Sequence, residues 1–90
     1  HLHQNTPNPF NPTTTIRYTV GRDGARVLIG VYDVAGRHVA TLVDGASESG
    51  THATVWNGKD AHGRPVASGV YFCRYEAPDY SGQVKLLLLK

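Results

Sequence analysis

Apolar and polar residues alternate with a period of two along most of this 90-residue chain, and almost nothing repeats at the 3.6-residue period of a helix. In Thr13 to Val20, the positions Ile16, Tyr18 and Val20 alternate with polar neighbours, and Gly21 to Gly24 then makes a tight turn. Val27, Ile29 and Val31 repeat the pattern within Ala25 to Val34, before an Ala35-Gly36 turn. Val39 to Val43 reads as a third short strand, closed by the Asp44-Gly45 turn signal and a polar stretch to Gly50. His52, Thr54 and Trp56 fall on one side of the next strand, and Asn57-Gly58 opens a loop through Asp60 and Gly63 to Pro65. Val70 to Glu76 is dense in β-branched and aromatic residues, and Pro78 to Gly82 turns it into Gln83 to Leu89. That last strand is apolar on both faces, which predicts cover from two sides. About seven short strands with turn signals roughly every 8–12 residues predict an all-β fold, an antiparallel β-sandwich. No internal repeat stands out.

The first twelve residues break the alternation. Asn5-Thr6-Pro7-Asn8-Pro9-Phe10-Asn11-Pro12 has three prolines that cannot donate to a ladder, and each residue before a proline is pushed to extended geometry. Residues 1–12 therefore read as a stiff, extended lead-in that lays Phe10 against a sandwich formed by residues 13–90. A polyproline ligand for a partner is the other reading of this segment.

Size and charge narrow the function. Ninety residues bury about two-thirds of their unfolded surface, and a ligand cavity of roughly 300 Å³ or more would consume much of that core. The expectation is a domain without catalysis. A net charge of +2, with basic residues scattered from Arg17 to Lys90, argues against a nucleic-acid partner. Cys73 is the only cysteine, so neither an internal disulfide nor a thiolate zinc framework is available. The longest apolar run is Leu86 to Leu89, far too short for a membrane helix, and no signal peptide is present. A start at His1 reads as a piece of a longer precursor, so that any export signal is expected upstream.

Ordered blocks then carry a resemblance. Pro7 to Pro12 with Thr14-Thr15-Ile16-Arg17-Tyr18 is the first, and Val31-Tyr32-Asp33-Val34-Ala35-Gly36-Arg37 with Val39 the second. Trp56 to Asp60 with Gly63 to Val66 is the third, and Ala67 to Phe72 with Arg74 the fourth. Lys85 to Lys90 closes the series, so the match spans essentially the whole chain. The blocks resemble two related families of C-terminal domains on secreted bacterial proteins. These are the Ig-like domain of the flagellar hook-capping protein and the C-terminal sorting domain of type IX secretion. The resemblance implies a seven-stranded immunoglobulin-like sandwich on a secreted or surface-displayed protein, acting in secretion sorting or attachment. Its implied partners are the N-terminal domains of the same precursor and the secretion machinery or a cell-surface component. It implies recognition residues at Gly69, Tyr71, Arg74, Lys85 and Lys90. A passive accessory domain beside a catalytic neighbour and a glycan-binding module are the alternatives.

Other residues are expected to be structural. Asp33 caps its turn and Gly36 supplies a positive φ. Phe10, Trp56, Gly58 and Gly63 complete the set, with Tyr32 a half-buried strand aromatic. Asn57 and Asp60 could donate oxygens to calcium, yet calcium takes about six to eight and the loop has one carboxylate. An Asx-turn at Asp60 is the other reading, and no cofactor or metal site is expected. His1 and His3 could chelate copper if His1 were a mature terminus. His38, His52 and His62 lie on separate elements, with His52 expected beside Trp56. Cys73 reads as a small core residue.

Overall fold

The computed structural model describes residues 1–78 and 80–89. Six strands form: β1 Thr14–Val20, β2 Ala25–Asp33, β3 His38–Ser47, β4 Gly50–Trp56, β5 Gly69–Ala77 and β6 Tyr80–Leu88. β1 pairs with β4 in one sheet, and the other sheet runs β3-β2-β5-β6, with antiparallel neighbours throughout. The two layers enclose one core. Its inward rows are Ile16, Tyr18 and Val20 from β1, Val27, Ile29 and Val31 from β2, Tyr71, Cys73 and Tyr75 from β5, and Leu86 and Leu88 from β6. Each is the apolar half of an alternating strand, so the period of two becomes burial on one face.

The sandwich has six strands where about seven are expected, and the lead-in is held by isolated bridges and not as a strand of either sheet. Residues 1–6 lie antiparallel along the free side of β1, through bridges Leu2 to Tyr18 and Thr6 to Thr15. The Thr6 and Thr15 amides donate to each other's carbonyls at 2.9 and 2.8 Å. The chain then crosses to the other sheet. There the Phe10 amide donates to the Leu87 carbonyl at 3.0 Å, the Leu89 amide donates to Phe10 at 2.9 Å, and Phe10 bridges Leu88 in parallel. Pro7 and Pro9, which lie between the stretch along β1 and the stretch along β6, have no N–H to donate. Between them, buried Thr14 donates to the Pro7 carbonyl at 2.7 Å and accepts from Asn5 Nδ2 at 2.9 Å. One segment thus laces the two sheets together along one side.

Three local expectations change. Asp44-Gly45 does not end the third strand, which runs on to Ser47. Asp44 pairs with Leu28, and its carboxylate accepts from Arg26 Nη2 at 2.6 Å. Long β2 holds its neighbour in ladder geometry past a local turn preference, a case of tertiary context overriding propensity. β3 reaches that length with two extra residues, because the pairing skips Leu42 and Val39. The last strand starts at Tyr80, which pairs with Ala77, so Tyr80 to Gly82 are ladder and not turn, while Asp79 lies outside the described residues. Nor is that strand sandwiched between two layers. β6 is an outer strand with Leu86 and Leu88 inward, Leu87 half-buried on the outer face and Leu89 48% exposed.

Candidate functional site

Two turns at one end of the sandwich have the same construction. In Asp33-Val34-Ala35-Gly36-Arg37, Asp33 Oδ1 accepts from the Ala35 and Arg37 amides at 2.9 Å each, and Arg37 Nε donates to Oδ2 at 3.1 Å. In Asp60-Ala61-His62-Gly63-Arg64, Asp60 Oδ1 accepts from the His62 and Arg64 amides at 2.9 and 3.0 Å, with Arg64 Nε 3.8 Å from Oδ2. Gly36 and Gly63 both have φ near +80° and donate their amides to the carbonyls of Asp33 and Asp60. Only glycine adopts that conformation freely. The Ala61 amide donates to Val39 at 2.9 Å and ties the second turn to the strand that follows the first. The sequence signal for this duplication, Asp-x-x-Gly-Arg at two places, passed as two unrelated loops.

These contacts fix the chemistry of both carboxylates. The Arg37 amide, and for Asp60 the Arg64 amide, is the largest influence holding each below the usual carboxylate range; both guanidiniums act in the same direction. Asp60 is therefore engaged by its own turn, and Asn57 Oδ1 likewise accepts from the Lys59 amide at 3.2 Å. The Asx-turn is what forms. Because the folded-state values are depressed, these aspartates stabilise the fold above about pH 4 and lose that effect as pH falls through the folded values. Asp33→Asn and Asp60→Asn should each lower stability at pH 7, with the gap to the parent closing below pH 4 in acid-unfolding curves. A gap that stays constant to pH 2 would contradict this.

The residues implied in recognition do not converge on one site. Gly69 opens β5 opposite Leu88. Tyr71 faces inward: its ring packs edge-on against Trp56 at 5.2 Å, and its hydroxyl donates to the Ala67 carbonyl at 2.6 Å. Burial, then the nearby Asp33 charge, pushes the Tyr71 phenol above its ordinary range. Arg74 lies on the opposite face of β5, with its guanidinium 4.3 Å above the Tyr32 ring. Such a stack contributes about 0.5–1 kcal/mol at exposed sites. Lys85 is exposed directly across from Phe72, so it shares that outer face. Its carbonyl accepts from Gln4 Nε2 at 3.1 Å and Asn8 Nδ2 at 3.4 Å. Lys90 lies outside the described residues.

The structural candidates meet elsewhere. Trp56 is 1% exposed, with Phe10 at 5.6 Å and its Nε1 donating to the Lys59 carbonyl at 2.9 Å. Gly58 has φ +74°, and a Cβ there would sit 3.0 Å from the Pro12 carbonyl oxygen, so the lead-in needs glycine at this point. His52 stacks on Tyr18 at 5.4 Å instead of packing beside Trp56, because Tyr18 is its cross-strand partner in the β1–β4 pair. Its Nε2 is 2.7 Å from the Glu48 carbonyl. Cys73 is fully buried and its thiol is pushed up to about 12 by desolvation, which removes the thiolate that reactivity requires. Among the described residues no three His, Cys, Asp or Glu side chains gather as a metal site, and no helix is long and apolar enough to cross a membrane.

Similarity to known proteins follows this architecture. A solved structure of PorZ, an essential bacterial surface component of the type-IX secretion system of Porphyromonas gingivalis, superposes with a TM-score of 0.67 at 26% identity. The match covers 99% of this chain and 11% of PorZ, so the chain spans about a tenth of that protein. No curated protein matches the chain. The family model for the FlgD Ig-like domain matches residues 8–79, from the Phe10 bridge through both aspartate turns to the end of β5. The chain belongs to the FlgD Ig-like domain family.

Proposed function

We propose that this domain is a non-catalytic module of a larger exported bacterial protein and that it acts in secretion sorting or cell-surface attachment. The observation that carries the reading is the extent of the PorZ match: nearly all of this chain corresponds to a small part of a surface protein of a secretion system. Arg74 and Lys85 then act from the outer face of the four-stranded sheet, while Tyr71 supports the fold from inside.

Fusing residues 1–90 to a periplasmic reporter in a host with type IX machinery tests it. The reporter should reach the cell surface, and the Arg74→Ala, Lys85→Ala double variant should reduce surface display with little change in Tm. A folded fusion retained in the periplasm would sink the reading. If deleting the domain instead lowered its neighbour's Tm without moving the protein, a passive accessory role would replace it.

A further inference from the structure

Four asparagines stand in the chain, and the fold treats one of them differently from the rest. An asparagine loses its side-chain amide when the backbone nitrogen of the next residue attacks Cγ and closes a five-membered ring. Asn8 and Asn11 precede proline, whose nitrogen carries no hydrogen and cannot become the nucleophile. Asn5 is 3% exposed, and its Nδ2 donates to the Pro7 carbonyl at 3.0 Å and to Thr14 Oγ1 at 2.9 Å. The Thr6 amide that follows it is itself bonded to the Thr15 carbonyl at 2.9 Å. Asn57 shares none of these protections: its side chain is exposed, and Gly58 follows it.

The local geometry leaves Asn57 open to that attack at each of the three reacting atoms. Among the described residues nothing accepts a hydrogen bond from the Gly58 amide, so its nitrogen breaks no bond in order to react. Asn57 Oδ1 accepts from the Lys59 amide at 3.2 Å. That donor meets the oxygen on which negative charge develops when Cγ is attacked, the arrangement that stabilises an oxyanion. Asn57 Nδ2, the group that leaves, has no partner among the described residues. It belongs to a side chain lining a hollow of about 430 Å³, so water has a path to the site.

We infer that Asn57 is a self-modification site, at which the chain deamidates through attack by its own Gly58 nitrogen. Hydroxide takes the Gly58 amide proton, the nitrogen bonds to Asn57 Cγ, and the Cγ–Nδ2 bond breaks. Nδ2 takes up a proton from water and leaves as ammonia, and the product is a cyclic imide. Water then opens either of the two C–N bonds of the ring and returns a proton to the Gly58 nitrogen. The sum is asparagine plus water giving ammonia plus an aspartate or a β-linked isoaspartate, with no change of oxidation state. The two products differ in what they do to the fold. Aspartate keeps the Asx-turn, because its carboxylate accepts from the same Lys59 amide. The β-linked product adds a methylene to the main chain between Trp56 and Gly58, both of them buried. The Trp56 Nε1 bond to Lys59 and the seat of Gly58 against Pro12 must then shift relative to each other. The reaction is independent of any role in export.

The test is to age the folded 90-residue chain at about pH 8 and digest samples with trypsin at intervals. Asn57 is the one side-chain amide in tryptic peptide 38–59, while peptide 1–17 holds Asn5, Asn8 and Asn11. Peptide 38–59 should gain the mass of an amide-to-acid exchange at least about tenfold faster than peptide 1–17, where proline or burial protects each asparagine. Asn57→Ser should abolish the gain. The same incubation in urea calibrates the fold, and the folded chain should react no more than about tenfold slower than the unfolded one. A larger slowdown, or a peptide 38–59 that stays unchanged, would overturn the site. Asn57→Asp should keep the parent's Tm, while the β-linked fraction, separated by chromatography, should melt below it. A β-linked fraction with the parent's Tm would overturn the structural consequence.

Discussion

Trp56→Ala should remove about 3–5 kcal/mol of stability, the range for deleting a large buried aromatic. A domain of this size holds only about 5–14 kcal/mol, so the loss takes about a fifth or more of the total. The cost has identifiable parts. The indole is 1% exposed, it packs against Phe10 and Tyr71, and its N–H satisfies the Lys59 carbonyl. Trp56→Phe separates these parts, because it keeps most of the packing and removes the donor. It should cost about 1–3 kcal/mol from the unpaired carbonyl, plus a smaller cavity contribution. Trp56 is the only tryptophan, so unfolding by urea is best followed by circular dichroism. An alanine variant within 1 kcal/mol of the parent would show that the indole is not the keystone described.

The second large effect lies in the lead-in. Phe10→Ala should also cost about 3–5 kcal/mol, since the ring is 2% exposed and faces Trp56, while the backbone bonds to Leu87 and Leu89 remain available. Removing residues 1–10 goes further in kind. It uncovers the ladder groups of β1 and β6 at once, so the truncated domain should scatter light at concentrations where Phe10→Ala remains monomeric. Equal behaviour of the two variants would mean that the segment contributes only its phenylalanine.

Much of this fold was legible because most strands bury one face. Ile16, Tyr18 and Val20, like Val27, Ile29 and Val31, announce both the strand and its inward side. The same period fails for β3, where the skipped residues Leu42 and Val39 shift the phase twice and make a ten-residue strand look half as long. Edge position was also hidden. The leucines of β6 read as two covered faces, while the outer one is half-buried beside a lead-in that arrives from the opposite end of the sequence. For the site, the resemblance supplied Tyr71 and Arg74 together. Their spacing of three on one strand already placed them on opposite faces, a parity that block matching ignores. The aspartate turns were each readable, but only three of their five positions repeat, so their equivalence emerged from backbone geometry.

The bridge between the lead-in and β6 has a consequence for how the domain forms. Asn8 and Leu87, whose hydrogen bond helps make it, are 79 positions apart, close to the longest separation this chain permits. Contacts of that range return energy only after nearly the whole loop has been closed, and they place a fold among the slow, all-or-none class. During synthesis the lead-in of this domain must therefore wait for the domain's last strand. A chain shortened ahead of Leu86 lacks both the partner for Phe10 and the apolar row that Leu86 and Leu88 give the core. Closure of the lead-in thus reports that the domain is complete, and a nascent or truncated domain stays open to proteases until that report is made.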